Sequence, residues 1–330
     1  MKKYHVYGIG AALVDTEVEV NNSDLSALGV DKGLMTLVDQ ARQDELLQHL
    51  QQAAQYAKRA CGGSAGNTVT AINHFGAATF FSGKVADDDD GQFYLREMHS
   101  AGVETSSTSI EPGTTGKCLI LITPDAERSM NTYLGISEQL SVRELDPQAI
   151  AASHCLYLEG YLVTSDSGRA AAVRSREIAA ENGTQIAISF SDPGIVAHFG
   201  DGLREIIGER VDWVFCNEEE ALSFAGGDNL DNAIAQIKTV AREFVITRGA
   251  RGALICDEEN ILQVSGVPTD AIDSNGAGDM FAGAFLYGIH HGMTRQRAGN
   301  FAAAAAAQVV SQYGPRLNRE QCQSLLADFQ

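Results

Sequence analysis

The sequence predicts an α/β protein: a mostly parallel central sheet covered by helices, plus a small β-sheet set apart from it. Three observations carry this reading. From about residue 140 onward helical and strand-like segments alternate, the pattern of parallel strands joined by helical crossovers. The N-terminal part breaks that rhythm with short strands of period two in two separated segments. The chain has 330 residues, 44% hydrophobic and 20% charged, so it is long enough for a large core and ordinary in composition for a globular protein.

Taken in order, residues 4–10 form a continuous apolar strand. Residues 15–20 and 33–38 read as half-exposed strands, and so do 117–123 and 129–134, joined by a turn at 124–127. Together these four strands make the small sheet. Residues 42–59 read as a helix that returns the chain to the main domain. A helix is expected over 92–100, and the run Asp87-Asp88-Asp89-Asp90 just before it is read as capping it rather than as a metal site. Residues 168–182 form a helix stopped by Gly183, followed by strands at 185–190 and 211–216. A helix at 232–242 and strands at 244–247 and 253–256 complete the alternation.

The net charge of −19 at pH 7 argues against nucleic acid or an anionic membrane surface as partner. The six cysteines are scattered, with no C-x-x-C pair, and four fall in strand-like runs, so they read as small buried hydrophobes. No apolar stretch is long enough to span a bilayer; the alanine run 302–307 is too short. A cytoplasmic location with reduced thiols is therefore expected. Gly8-Ile9-Gly10 is not a dinucleotide fingerprint, because position 13 is Leu13 and no suitable helix follows, which disfavours a dehydrogenase.

Residues 273–279, Asp-Ser-Asn-Gly-Ala-Gly-Asp, carry the chemistry, followed at once by the apolar run 280–285. Small residues can turn tightly and leave successive backbone N–H groups uncovered at the start of a buried helix, an anion site suited to phosphate. A carboxylate in such a site would repel an anion, so Asp279 makes sense as a base that takes the proton of an attacking hydroxyl. Asp15, where the chain leaves the main sheet, can accept two hydroxyl hydrogen bonds and suits a vicinal diol. Gly62 and Gly63 allow a ligand close to the backbone, and Asn67 can donate and accept; it can also serve as a helix N-cap. Asn217 and Glu220, past an apolar strand at one helical turn's spacing, can face one side of a new helix.

Residues 273–279 resemble the DT-x-GAGD signature of the ribokinase (PfkB) family of carbohydrate and nucleoside kinases. Gly62, Gly63 and Asn67 resemble its GG-x-x-x-N element, Asn217 and Glu220 its N-x-x-E element, and Thr247, Gly249 and Gly252 its T-x-G-x-x-G element. The match runs from about residue 4 to residue 315, and four motifs in order are far more specific than one. The resemblance implies a ribokinase-like three-layer domain (1–10, 41–110 and 137–330) with a β lid over the substrate (11–40 and 111–136). It implies transfer of the ATP γ-phosphoryl group to an alcohol, with Asp279 as base and Gly276, Ala277 and Gly278 as anion hole. Asp15, Gly62, Gly63 and Asn67 would hold the acceptor. Thr247, Arg248, Gly249 and Gly252 would meet nucleotide phosphates, and Asn300 would lie against the adenine. Asn217 and Glu220 would organise Mg²⁺ through its waters, and Asp273 with the carbonyls around Asn275 matches part of a K⁺ site.

Within the family the motifs look most like the adenosine-kinase branch, with two departures that remove hydrogen-bonding groups, Ala11 and Gly66. A nucleoside of adenosine type is therefore the leading acceptor. A free ketose, pentose or keto-sugar acid is the runner-up, and a non-catalytic nucleoside- or sugar-binding regulator is the third reading. Monomer and homodimer are both left open.

Overall fold

A computed structural model describes residues 2–50, 58–106, 110–257 and 259–329. Its main sheet has nine strands. From one edge they run Ile261–Val264, Ala253–Cys256, Ala241–Thr247, Val211–Asn217, Gln185–Ser189, Ser153–Glu159, Tyr4–Ile9, Thr79–Ser82 and Glu104–Thr105. The seven from Ala241–Thr247 to Glu104–Thr105 are parallel, and the two at the other edge are antiparallel. Helices cover both faces, each over its own apolar cluster, so the strands read as near-continuous hydrophobic runs.

One packing contact matters for the site. Phe285, fully buried in the helix Ala277–His290, meets Trp213 of the sheet edge-on at 5.3 Å. Burying one such side chain contributes about 1.5–3 kcal/mol. The helix carrying the 273–279 motif is thereby fixed against the sheet.

The second sheet has five strands, in the order Met35–Leu37, Arg128–Tyr133, Gly116–Ile122, Leu13–Glu19 and Lys58–Cys61. Its fifth strand corrects the expected 42–59 helix. That helix spans Gln40–His49, residues 51–57 lie outside the described residues, and Lys58–Cys61 pairs with Leu13–Glu19, Ala60 opposite Asp15. A helix-favouring composition is overridden here by a ladder it can join. The Gln40–His49 helix also packs on this smaller sheet rather than in the main domain: Leu46 joins Leu25 of the helix Asn22–Leu28 over Val18, Leu119 and Leu121. Gly116–Ile122 is accordingly not half-exposed. Leu119 and Leu121 face those helices, while Cys118, Ile120 and Ile122 form the opposite face with Leu13 and Met130.

Two other expectations are adjusted. The 232–242 helix is Leu230–Lys238, and Ala241 already pairs with Val211 in the sheet. The acidic run does cap a helix: Asp88 accepts from the Gly91 N–H at the start of Asp89–Ala101. Asp90 does more, pairing with Arg59 at 2.6 Å and Lys117 at 2.8 Å, and so ties two strands of the smaller sheet to the main domain. All six cysteines are buried and unpaired. Among the described residues no helix is long and apolar enough to cross a membrane.

Candidate active site

A cavity of about 440 Å³ lies between the two sheets. Glu159, Ser189, Asn217 and Thr247, each the last residue of a parallel strand, line one side of it. Carboxyl ends of parallel strands are where ligands bind in open α/β sheets. The roof is the apolar face of the small sheet, through Leu13, Cys118, Ile120 and Met130.

The helix Ala277–His290 opens onto the cavity. Gly276 precedes it at φ 74°, a left-handed conformation, and a Cβ there would sit 2.3 Å from the Pro315 carbonyl oxygen, so glycine is required on both counts. Among the described residues the N–H groups of Gly276 and Gly278 find no backbone or side-chain acceptor, whereas that of Ala277 turns back to the Ser274 carbonyl at 3.3 Å. The free amides of the expected trio are thus Gly276 and Gly278.

Asp279 stands at that helix start with both carboxylate oxygens engaged. The Ser64 hydroxyl donates to one at 2.6 Å and the Asn67 amide to the other at 2.9 Å. Burial raises its pKa, and these two hydrogen bonds hold part of the rise back. Asn67 is not an N-cap, because its helix begins at Ser64 after Gly63. Its amide oxygen accepts from Arg316 Nε at 2.8 Å.

Asp15 is buried on the cavity wall and its pKa is pushed up to about 8, by burial first and then by the neighbouring Glu17 charge. It backs onto Gly62, where a Cβ would fall 2.0 Å from its carboxylate. Gly62 therefore serves as a spacer for Asp15; Gly63, not Gly62, lines the cavity. Glu17 is raised to about 7 by burial and by Asp273. Asp273 accepts from the N–H groups of Asn275 at 2.9 Å and Gly314 at 3.0 Å.

Asn217 and Glu220 form a reciprocal cap at the start of the helix Glu218–Ala225. The Asn217 amide donates to Glu220 at 2.8 Å and its side-chain oxygen accepts the Glu220 N–H at 2.8 Å. Both line the cavity, and burial lifts Glu220 to about 8. Thr247 and Gly249 also line it. Three expected nucleotide contacts do not. The Arg248 guanidinium turns to Glu218 at 2.9 Å, a residue Arg251 also holds at 2.9 Å, so Glu218 is not a free solvated charge. Gly252 closes the local turn through its carbonyl to Arg248 N–H. Asn300 is exposed and bonded to Gln296.

Other site residues escaped the sequence reading. Ser64 sits beside the Gly-Gly pair and could have been read from it. Glu159, raised to about 7 by burial, accepts the N–H groups of Ala11 and Ala65 at 2.6 and 2.9 Å; its place at a strand's carboxyl end was the available signal. Arg128 reaches from the small sheet to Ser274 at 3.1 Å and Asn275 at 2.8 Å. Neither Arg128 nor Arg316 has a local sequence signal.

Comparison with known proteins agrees with this fold. The model of the pfkB family carbohydrate kinases matches residues 33–322. The adenosine kinase of Saccharomyces cerevisiae is 27% identical over 332 residues, covering 93% of this chain and 95% of that protein. Among solved structures, a probable sugar kinase from Rhizobium etli superposes with TM-score 0.94 at 29% identity over the whole of both chains. The adenosine kinase of Sinorhizobium meliloti gives 0.93 at 29% identity over 99% of each. With its motifs, its two sheets and the enclosed carboxylate at a helix start, the chain belongs to the pfkB family of carbohydrate kinases and is a phosphotransferase.

Proposed function

We propose that the protein transfers the γ-phosphoryl group of ATP to a hydroxyl of a nucleoside of adenosine type. The observation that carries this is the contrast within the cavity: an apolar patch of Leu13, Cys118, Ile120 and Met130 on the small sheet adjoins two carboxylates, Asp15 on the same sheet and Asp279 on the main domain. A nucleoside matches both, with a planar heterocycle for the apolar patch and a ribose for the carboxylates. A free sugar would bring hydroxyls against groups that cannot pair with them, at a cost of roughly 1–3 kcal/mol each.

In this reading Asp15 accepts the vicinal diol, which leaves the remaining ribose hydroxyl for Asp279. Asp279 takes that proton as the oxygen attacks the γ-phosphorus in line. The Gly276 and Gly278 amides receive the charge that spreads over the phosphoryl oxygens. Burial makes Asp279 a stronger base than an exposed aspartate, and Ser64 and Asn67 fix its orientation.

The carboxylates around the cavity favour cations. Glu220 keeps its raised pKa without a cationic partner among the described residues, and with Asn217 it offers the hard oxygen donors that suit Mg²⁺ held through its waters. When bound, Mg²⁺ would neutralise the nucleotide phosphates. Asp273, fully buried with both oxygens on backbone N–H groups, fits a neighbouring K⁺ shared with carbonyls around Asn275.

Asp279→Asn tests the mechanism. Turnover of adenosine with Mg-ATP should fall about 10²–10⁴-fold with adenosine binding retained. Turnover at the wild-type rate would remove Asp279 from the base role.

A further inference from the structure

Arg316 is an anomaly outside the four motifs. It follows the helix Arg295–Val310 and reaches into the protein interior, yet among the described residues it makes no ion pair. Its Nη2 is buried with no hydrogen-bond partner, and Nη1 has only the Met98 sulfur at 3.8 Å. Interior arginines held for stability are normally paired with a carboxylate. The one strong bond this guanidinium makes is Nε to the Asn67 amide oxygen, at 2.8 Å.

That bond decides which way Asn67 faces. Arginine can only donate, so the oxygen of Asn67 must point to Arg316 and its NH₂ to Asp279, as found at 2.9 Å. Were the amide reversed, an oxygen would meet the Asp279 carboxylate and repel it. The space is kept open by Gly66: a Cβ there would lie 2.6 Å from the Tyr94 hydroxyl and 3.5 Å from Arg316 Nη2.

We infer that Arg316 is a positioning residue for phosphoryl transfer, acting through Asn67 to lock the amide that donates to Asp279 and lending that carboxylate a positive charge from outside the substrate cavity. The relay is Arg316 to Asn67 to Asp279, three residues far apart in sequence. Arg316 is not among the residues that line the cavity, so it contributes without touching substrate. Arg128 is the other cation whose charge favours the ionised Asp279, from the small sheet. From the main domain Glu159 and Glu220 oppose that ionisation when charged, while the buried Tyr157 and Tyr161 stay neutral.

The inference rests on Asp279 as base, and its test separates the two claims. Adenosine phosphorylation with Mg-ATP is followed against pH for wild type, Arg316→Met, Arg316→Lys, Asn67→Ala and the double variant Asn67→Ala/Arg316→Met, with melting temperature and the KM for ATP as controls. Loss of the Arg316 charge leaves Asp279 harder to ionise. In Arg316→Met, kcat is expected to fall about tenfold with the KM for ATP unchanged, and the acid limb of the kcat profile to move up by about one pH unit. Arg316→Lys, which keeps the charge, should restore the limb toward wild type. Removing Arg316 should cost clearly less in the Asn67→Ala background than in wild type, because part of its effect passes through Asn67. An unmoved acid limb in Arg316→Met, or additive losses in the double variant, overturns the relay even if Asp279→Asn is inactive. Should Arg316→Met fail to fold, Arg316→Gln, which also lacks the charge, is read on the same criterion. A fully active Asp279→Asn enzyme would instead overturn the base assignment beneath it.

Discussion

At the scale of single residues, the carboxylates of this site are held in unfavourable surroundings, and Asp15 shows the consequence most clearly. Its folded value of about 8 compares with about 4 for an exposed aspartate. Between those values the unfolded chain releases a proton that the folded chain keeps, so its contribution weakens folding as pH rises from about 4 to about 8. Asp15→Asn removes this. The variant's melting temperature is expected to exceed that of wild type by a margin that grows from about pH 5 to about pH 8, while adenosine turnover is lost. Parallel melting curves across that range would show that Asp15 is not strained by burial. Such residues were legible in the sequence by their motifs, Asp15 and Asp279 above all. Their partners were not. Ser64, Glu159, Arg128 and Arg316 lie between 94 and 249 positions from the groups they bond, and a single sequence carries no signal for pairs so distant. Asn300 and Arg248 erred the other way, because a motif fixes a backbone position but not where a side chain finds its best partner; for Arg248 that partner is Glu218.

At the scale of elements, the proposed choice of acceptor rests on the small sheet. Its strand Gly116–Ile122 alternates between the two helices on one side and the cavity on the other. The alternation was visible in the sequence, but the covering helices were not assigned to it, since their apolar positions suit either domain. Met130, partly exposed on the cavity side, offers the gentlest probe of the roof. Met130→Ser should raise the KM for adenosine about tenfold, a loss of about 1.4 kcal/mol of apolar contact, and leave the KM for ATP alone. Equal effects on both substrates would mean that the roof does not select the acceptor. The fifth strand, Lys58–Cys61, was missed because only tertiary pairing with Leu13–Glu19 makes it a strand.

At the scale of the whole molecule, a chain of net charge −19 binds a polyanionic cosubstrate. The field of the protein is adverse, so the site must supply local positive potential, from the start of the Ala277–His290 helix, from Arg128 and, in the proposed reading, from cations. The alternation of helices and strands after residue 140 was enough to read a mostly parallel sheet, and the resemblance carried by the motifs implied the three-layer domain. The main sheet has seven parallel strands, and residues 67, 217, 247 and 279 of the main domain meet Asp15 of the small sheet at one cavity. The central claim is a nucleoside acceptor, and ADP release from Mg-ATP with K⁺ present measures it directly. The panel comprises adenosine, inosine, guanosine, cytidine, ribose, fructose and 2-keto-3-deoxygluconate. The expected result is strong turnover with a nucleoside, adenosine foremost, that disappears in Asp279→Asn. Turnover with a free sugar and none with any nucleoside would contradict it.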